Sequence, residues 1–215
     1  SLATLVSSNN STAGIFTSVM SVSAKQWGDY NNDGYSDMFG GSSLYANQGD
    51  GTFVHTTPLG GSGGSLGDFN NDGLLDSFNI AAGSGPRLYT NNGDETWTNR
   101  NEWFTLGHMP SGSNASTVVD LNGDGFLDIY MTGWWYENDT SADVIYTSNW
   151  NGFSDPSWTH TYTYGPPWQH KGVTSCDFDE DGDQDLYVSG YWYNESILWR
   201  NDGFDGNTGL TDVTS

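Results

Sequence analysis

Positive charge is nearly absent from this sequence. Five Lys and Arg stand against 27 Asp and Glu, a formal net charge of −22 over 215 residues. So few cations cannot neutralise a run of phosphates, which argues against nucleic acid as a partner. Cysteine is scarcer still. Cys176 alone excludes an intrachain disulfide and any cysteine-based zinc site, and its apolar setting reads as that of a small buried side chain. No apolar run approaches the about 20 residues of a membrane-spanning helix, so no membrane span is expected. The first residues lack the basic and apolar regions of a signal peptide, so a secreted form would begin upstream of Ser1. Convincing helical periodicity is also missing, and 29 glycines punctuate the chain.

Catalytic signatures are equally thin. The four histidines (His55, His108, His160 and His170) form no ligand pair, and His170-Lys171 beside Pro166-Pro167-Trp168 reads as a structural loop. There is no Ser/His/Asp arrangement and no phosphate-cradling loop. Acidic residues abound, but no two stand out as a glycosidase pair. No enzyme is expected.

What the sequence does have is one nine-residue stretch written four times. The third copy is Asp120-Leu-Asn-Gly-Asp-Gly-Phe-Leu-Asp128. Side-chain oxygens fall at positions 1, 3, 5 and 9, a glycine at position 6, and position 7 offers its backbone carbonyl. A flexible shell of six to eight oxygens is what a hard cation such as calcium takes. The candidate ligands are Asp29, Asn31, Asp33, Tyr35 and Asp37 in the first copy, and Asp68, Asn70, Asp72, Leu74 and Asp76 in the second. Asp120, Asn122, Asp124, Phe126 and Asp128 follow, then Asp177, Asp179, Asp181, Asp183 and Asp185. Glycine at position 6 permits the positive φ that folds the loop over an ion. One such loop reads equally well as a turn; four copies favour about four bound Ca2+.

The copies begin 39, 52 and 57 residues apart, and each sits in the same grammar. A short apolar strand enters the loop. A second strand leaves from the last aspartate (Asp37-Met-Phe-Gly, Asp76-Ser-Phe-Asn-Ile, Asp128-Ile-Tyr-Met-Thr, Asp185-Leu-Tyr-Val-Ser). A third strand (Leu44-Tyr45, Leu88-Tyr89, Val144-Ile-Tyr146, Ile197-Leu-Trp199), a turn and a fourth strand complete the unit. Four short strands at this period predict the blades of a β-propeller, an all-β fold of four-stranded antiparallel sheets. The expected divisions are a half-blade hairpin over 1–20 and blades over 21–60, 61–110, 111–168 and 169–215, all one propeller domain. That makes about four and a half blades.

These units resemble the FG-GAP/VCBS repeats of integrin-α-like and cartilage acidic protein-like propellers. The loop pattern carries the resemblance, together with the Leu-Tyr-x-Asn-x-Gly-Asp-Gly-Thr-Phe stretch at 44–53. The third and fourth units depart from it in their last hairpins, at Asn149-Trp-Asn-Gly-Phe153 and Asn201-Asp-Gly-Phe-Asp-Gly206. The resemblance implies calcium at the loops and a ring of seven blades. A chain with four and a half then belongs to a longer precursor, closes with another chain, or forms a small or open ring.

Two further features bear on partners. Sequons at Asn9, Asn10, Asn114, Asn138 and Asn194 are candidate glycosylation sites and, with loops suited to millimolar calcium, favour an extracellular glycoprotein, secreted or on the cell surface. Aromatic triplets at Trp134, Trp135, Tyr136 and at Tyr191, Trp192, Tyr193 stand at equivalent positions of neighbouring units. They pack between blades, or stack on a ligand, or cover the protein's own glycans. The reading is an extracellular calcium-binding module for cell adhesion or structural assembly, joined to other protein chains or further blades. The alternative is a carbohydrate-binding propeller that uses the aromatic clusters to hold glycans.

Overall fold

The computed structural model describes residues 24–40, 43–58, 64–81, 85–105, 115–133, 143–150, 158–164, 170–191, 195–206 and 208–214. The expected hairpin over 1–20 lies outside them. Four antiparallel meanders follow in chain order. The first comprises β1 (Ala24–Gly28), β2 (Asp37–Gly40), β3 (Ser43–Asn47) and β4 (Phe53–Pro58). The second comprises β5 (Gly64–Gly67), β6 (Asp76–Ala81), β7 (Gly85–Asn91) and β8 (Trp97–Asn99). A 3-10 turn at Asn101–Trp103 leads into β9 (Phe104–Thr105). The third contains β10 (Ser116–Val119), β11 (Asp128–Met131), β12 (Asp143–Ser148) and β13 (Trp158–Tyr164). The fourth contains β14 (His170–Cys176), β15 (Asp185–Gly190), β16 (Ile197–Asn201) and β17 (Leu210–Asp212).

These sheets are the blades of a propeller. Their inner strands pack side by side in the order β1, β5, β10, β14, and all four border one central cavity of about 390 Å³. Gln26 ties the first two blades there, donating from Nε2 to Leu66 O at 3.1 Å and accepting from Leu66 N at 2.6 Å. Among the described residues, β14 and β1 share no comparable packing.

Strand alternation decides which residues fill the junctions. In each second strand the residue after the aspartate turns back toward the preceding blade and the next one turns forward. Phe39 and Leu44 of the first blade thus meet Leu66 and Leu75 of the second. Phe78 and Leu88 meet Ile129 and Tyr146 of the third, and Tyr130 and Ile145 meet Leu186 of the fourth. Burying one such side chain stabilises by roughly 1.5–3 kcal/mol, so these three apolar junctions hold the blades together.

Two features were not expected from the sequence. Strand β9 leaves the second blade and joins the outer edge of the third, pairing in parallel as Phe104 with Trp158 and Thr105 with Thr159. Phe104 anchors it, edge-on to Tyr146 at 5.9 Å between ring centres. The second is a buried polar knot between the third and fourth blades. Asp143 accepts from Tyr130 Oη at 2.6 Å and from Gly133 N at 2.7 Å, and its Oδ2 lies 2.7 Å from His170 Nδ1. His170 is therefore the buried first residue of β14, not a loop residue. Asp143→Ala leaves three buried groups without their acceptor, each at a cost of about 1–3 kcal/mol. A loss of at least about 3 kcal/mol in urea unfolding is expected. A change below about 1 kcal/mol would remove the knot from the list of stabilising features.

Candidate metal sites

Each nine-residue loop connects the first two strands of its blade, and its backbone is folded by its own carboxylates. Position 1 accepts two backbone N–H groups. Asp120 takes Asp124 N on Oδ1 at 3.1 Å and Gly125 N on Oδ2 at 2.8 Å. Asp29, Asp68 and Asp177 take the equivalent pairs. Position 5 then caps position 7: Asp33 accepts from Tyr35 N, Asp72 from Leu74 N, Asp124 from Phe126 N and Asp181 from Asp183 N, at 2.9–3.0 Å. Glycine at position 6 has the anticipated positive φ, 87° at Gly125 and 104° at Gly182. Position 4 is left-handed too, with φ of 56° at Asn32, 52° at Asn71, 70° at Gly123 and 62° at Glu180. Asn and Gly tolerate that region, so the residue types at 32, 71 and 123 already carried the signal.

The last aspartate of each loop has a second task that the motif alone conceals. Asp37, Asp76, Asp128 and Asp185 are buried, and each grips two distant backbone groups. Asp128 Oδ2 accepts from Leu121 N at 3.1 Å, inside the loop, and its Oδ1 accepts from Ser148 N at 2.8 Å, at the end of the third strand. The partners of the others are Tyr30 and Asn47, Phe69 and Asn91, and Phe178 and Asn201. This carboxylate locks the loop onto the third strand. Burial pushes the Asp76 and Asp128 carboxyls up to about 7, the backbone donors opposing and the neighbouring loop carboxylates adding to the rise. Asp37 is raised for the same first reason.

An oxygen-only donor set with a buried carboxylate at its base suits a hard divalent cation. In the fourth loop, carboxylate oxygens of Asp177, Asp179 and Asp185 lie within 4.8 Å of one another. Burial raises Asp179, and Asp181 and Asp185 add to it. In the other three loops an amide replaces that aspartate. Asn31, Asn70 and Asn122 donate from Nδ2 to the position-5 carboxylate at 3.0, 2.9 and 3.0 Å. The N–H there bridges the two side chains as a cation would.

Comparison with a family of known repeats agrees with this architecture. The FG-GAP-like repeat family matches residues 29–78 and 68–131, which include the first three loops. The chain is an FG-GAP-like repeat β-propeller. The fourth loop lies outside the matched residues but has the same lock, Asp185 accepting from Phe178 N and Asn201 N. The crystal structure of the V. cholerae biofilm matrix protein Bap1 is similar at 16% identity and a TM-score of 0.34 over 87% of this chain. This chain spans 38% of that chain's length. No curated protein matches the sequence.

The remaining sequence candidates are mostly outside the described residues. These are Asn9, Asn10, Asn114, Asn138, Asn194 and the aromatics Trp134, Trp135, Tyr136, Trp192 and Tyr193. Tyr191 is described, and Lys171 Nζ sits 4.1 Å from its ring centre. Cys176 is exposed, contrary to the buried position expected from its apolar neighbours. Sequence reasoning also passed over the asparagines that end the third strands. Asn91 donates to Tyr30 O of the preceding blade at 2.7 Å, and Asn201 to Leu121 O at 2.8 Å. The recurring Leu-Tyr-x-Asn and Leu-Trp-x-Asn were the available signal.

Proposed function

We propose that this propeller binds calcium at its four loops and serves outside the cell as a non-catalytic module for adhesion or structural assembly with other protein chains. The observation that carries the reading is the repeated lock. In all four blades one buried aspartate holds the loop to the third strand, while the position-1, -3 and -5 side chains remain at the surface. Asp29, Asn31, Asp33 and Asp37 would hold the first ion, with their counterparts holding the others. An ion there supplies the positive charge that lets these carboxylates stay together. It fixes each blade corner, and with it the loop face that a partner would meet.

At calcium ten times the dissociation constant, one occupied site stabilises by about 1.4 kcal/mol. Calorimetric titration should therefore show calcium binding, and the melting temperature should rise by several degrees over that in chelator. Asp124→Ala tests the assignment at a single loop. Asp124 is exposed and its bonds are local, so the calcium-free variant should melt within a few degrees of the parent. Its calcium response should be smaller. Equal calcium responses in variant and parent, or none in either, would sink the role assigned to the loop.

A further inference from the structure

Two side chains fasten each of the first three loops from within, and the fourth loop has an aspartate in place of both. The first fastening is the position-3 amide. Asn31, Asn70 and Asn122 accept the position-5 backbone N–H on Oδ1, at 3.2, 3.1 and 3.0 Å. The same side chains donate from Nδ2 to the position-5 carboxylate, so each holds position 5 by its backbone and its side chain together. A hydrogen bond onto an ionised carboxylate is roughly twice as strong as a neutral one. The fourth loop has Asp179 at this place. An ionised carboxylate only accepts, so it repels the Asp181 carboxylate that an amide would hold.

The second fastening is the position-7 side chain, which covers the turn after the third strand of its own blade. Tyr35 lies so close over that turn that a Cβ on Gly49 would fall 2.4 Å from its ring. Leu74 covers Gly93 in the same way, and Phe126 meets Trp150 with ring centres 4.8 Å apart. Gly49, Gly93 and Trp150 all stand two residues beyond the end of their third strand, as Gly203 does in the fourth blade. Position 7 of the fourth loop is Asp183, and a Cβ on Gly203 would meet nothing within 4 Å beyond its chain neighbours. These exchanges gather charge. Positions 1, 3, 5, 7 and 9 are all aspartates in the fourth loop, whereas each of the others has three. Asp177, Asp179 and Asp185 bring carboxylate oxygens within 4.8 Å of one another, and no other such trio occurs among the described residues.

The affinity of an oxygen cage for a divalent cation follows its ligand charge and its rigidity. In the first three loops a cation competes with a bond the loop already makes, whereas in the fourth it replaces a repulsion. We propose that the fourth loop is the calcium-responsive one: it takes the first ion, holds it most tightly, and sets its blade corner only when filled. The first three corners keep their shape without an ion and fill at higher calcium. The turn between β14 and β15 is then a switch, and its three counterparts are a rigid frame. The inference rests on the calcium reading above and ranks the sites within it.

The test is a calorimetric calcium titration of the full chain, with amide hydrogen exchange followed loop by loop on the same samples. The first ion should bind roughly tenfold or more tightly than the rest, and should slow exchange in 177–185 alone. In chelator, 177–185 should exchange fastest of the four loops. Asp179→Asn restores the amide and should bring the first ion to within a few-fold of the others. Asn122→Asp should add a second early ion and, in chelator, speed exchange in 120–128. Asp179 is exposed, and a melting temperature in chelator at or above the parent's shows that its variant folds. Should Asn122→Asp fail to fold, Asp179→Asn decides alone. Ions that all bind with one common affinity overturn the proposal and leave the calcium reading standing. First protection in 29–37, 68–76 or 120–128 does the same, as does an Asp179→Asn variant whose first ion binds as in the parent. A titration with neither heat nor any change in exchange overturns the calcium reading, and the ranking with it.

Discussion

Asp128→Ala is expected to lower the stability of the calcium-free protein by about 2–5 kcal/mol at pH 6, a much larger effect than Asp124→Ala in the same loop. The two residues would serve one ion, yet their surroundings differ. Asp124 is exposed and caps Phe126 N, a neighbour that water can satisfy. Asp128 is buried and holds Leu121 N and Ser148 N, two groups 27 residues apart in the chain. Removing it orphans both donors and frees the loop from the third strand, on the flank where Leu121 packs against the fourth blade. The choice of pH matters. Burial lifts this carboxyl to about 7, so at pH 6 it is mostly protonated and its removal relieves little buried charge.

Asp128→Asn sharpens the argument. The amide keeps one oxygen for one N–H and turns an NH2 toward the other, so the loss should fall between those of the alanine variant and the parent. Equilibrium urea unfolding in chelator gives the ranking directly. If Asp124→Ala proved as damaging as Asp128→Ala without calcium, the lock would be no more important than an ordinary loop carboxylate.

This division of labour shows what the chain discloses when read alone. The loops were legible because all their donors lie within nine residues, and four copies make chance alignment implausible. The blades were legible for a related reason: each unit repeats the same order of short strand, nine-residue loop, strand, strand, turn and strand. What stayed hidden depends on partners distant in sequence. Nothing local to Asp76 announces that Asn91 N will bond it, 15 residues later. The pairing of β9 with β13 joins Phe104 to Trp158 across 54 residues and has no motif of its own. Cys176 was misjudged because its apolar neighbours predict burial, whereas its side chain is exposed. His170 was misjudged because the prolines before it read as a loop, whereas Asp143 draws it into the start of a strand.

The second large effect is a pH dependence of the calcium-free protein that runs opposite to ordinary acid denaturation. Burial raises Asp76 and Asp128 to about 7 and raises Asp37 as well, whereas an unfolded aspartate titrates near 3.9. Between about pH 4 and pH 7 the folded chain therefore binds more protons than the unfolded chain, and stability must fall as pH rises through that window. The contribution is fully present below about pH 4 and lost above about pH 7. Asp50, Asp94 and Asp202 are lowered by their hydrogen bonds, to Thr52, Thr96 and Arg200 respectively, and act in the other direction, but only near or below pH 4. From pH 5 to pH 8 the raised groups govern. In chelator the protein should melt lower at pH 8 than at pH 5, by on the order of ten degrees if both buried carboxyls contribute a few kcal/mol. Calcium reverses the sense, because the ion binds the deprotonated carboxylates and is opposed by the same protons at pH 5. The calcium-induced rise in melting temperature should therefore be larger at pH 8 than at pH 5, with protons released on binding at pH 6. A chelated protein that melts equally or higher at pH 8 would show that the buried aspartates remain ionised without a cation. The loops would then need no metal to hold their charge.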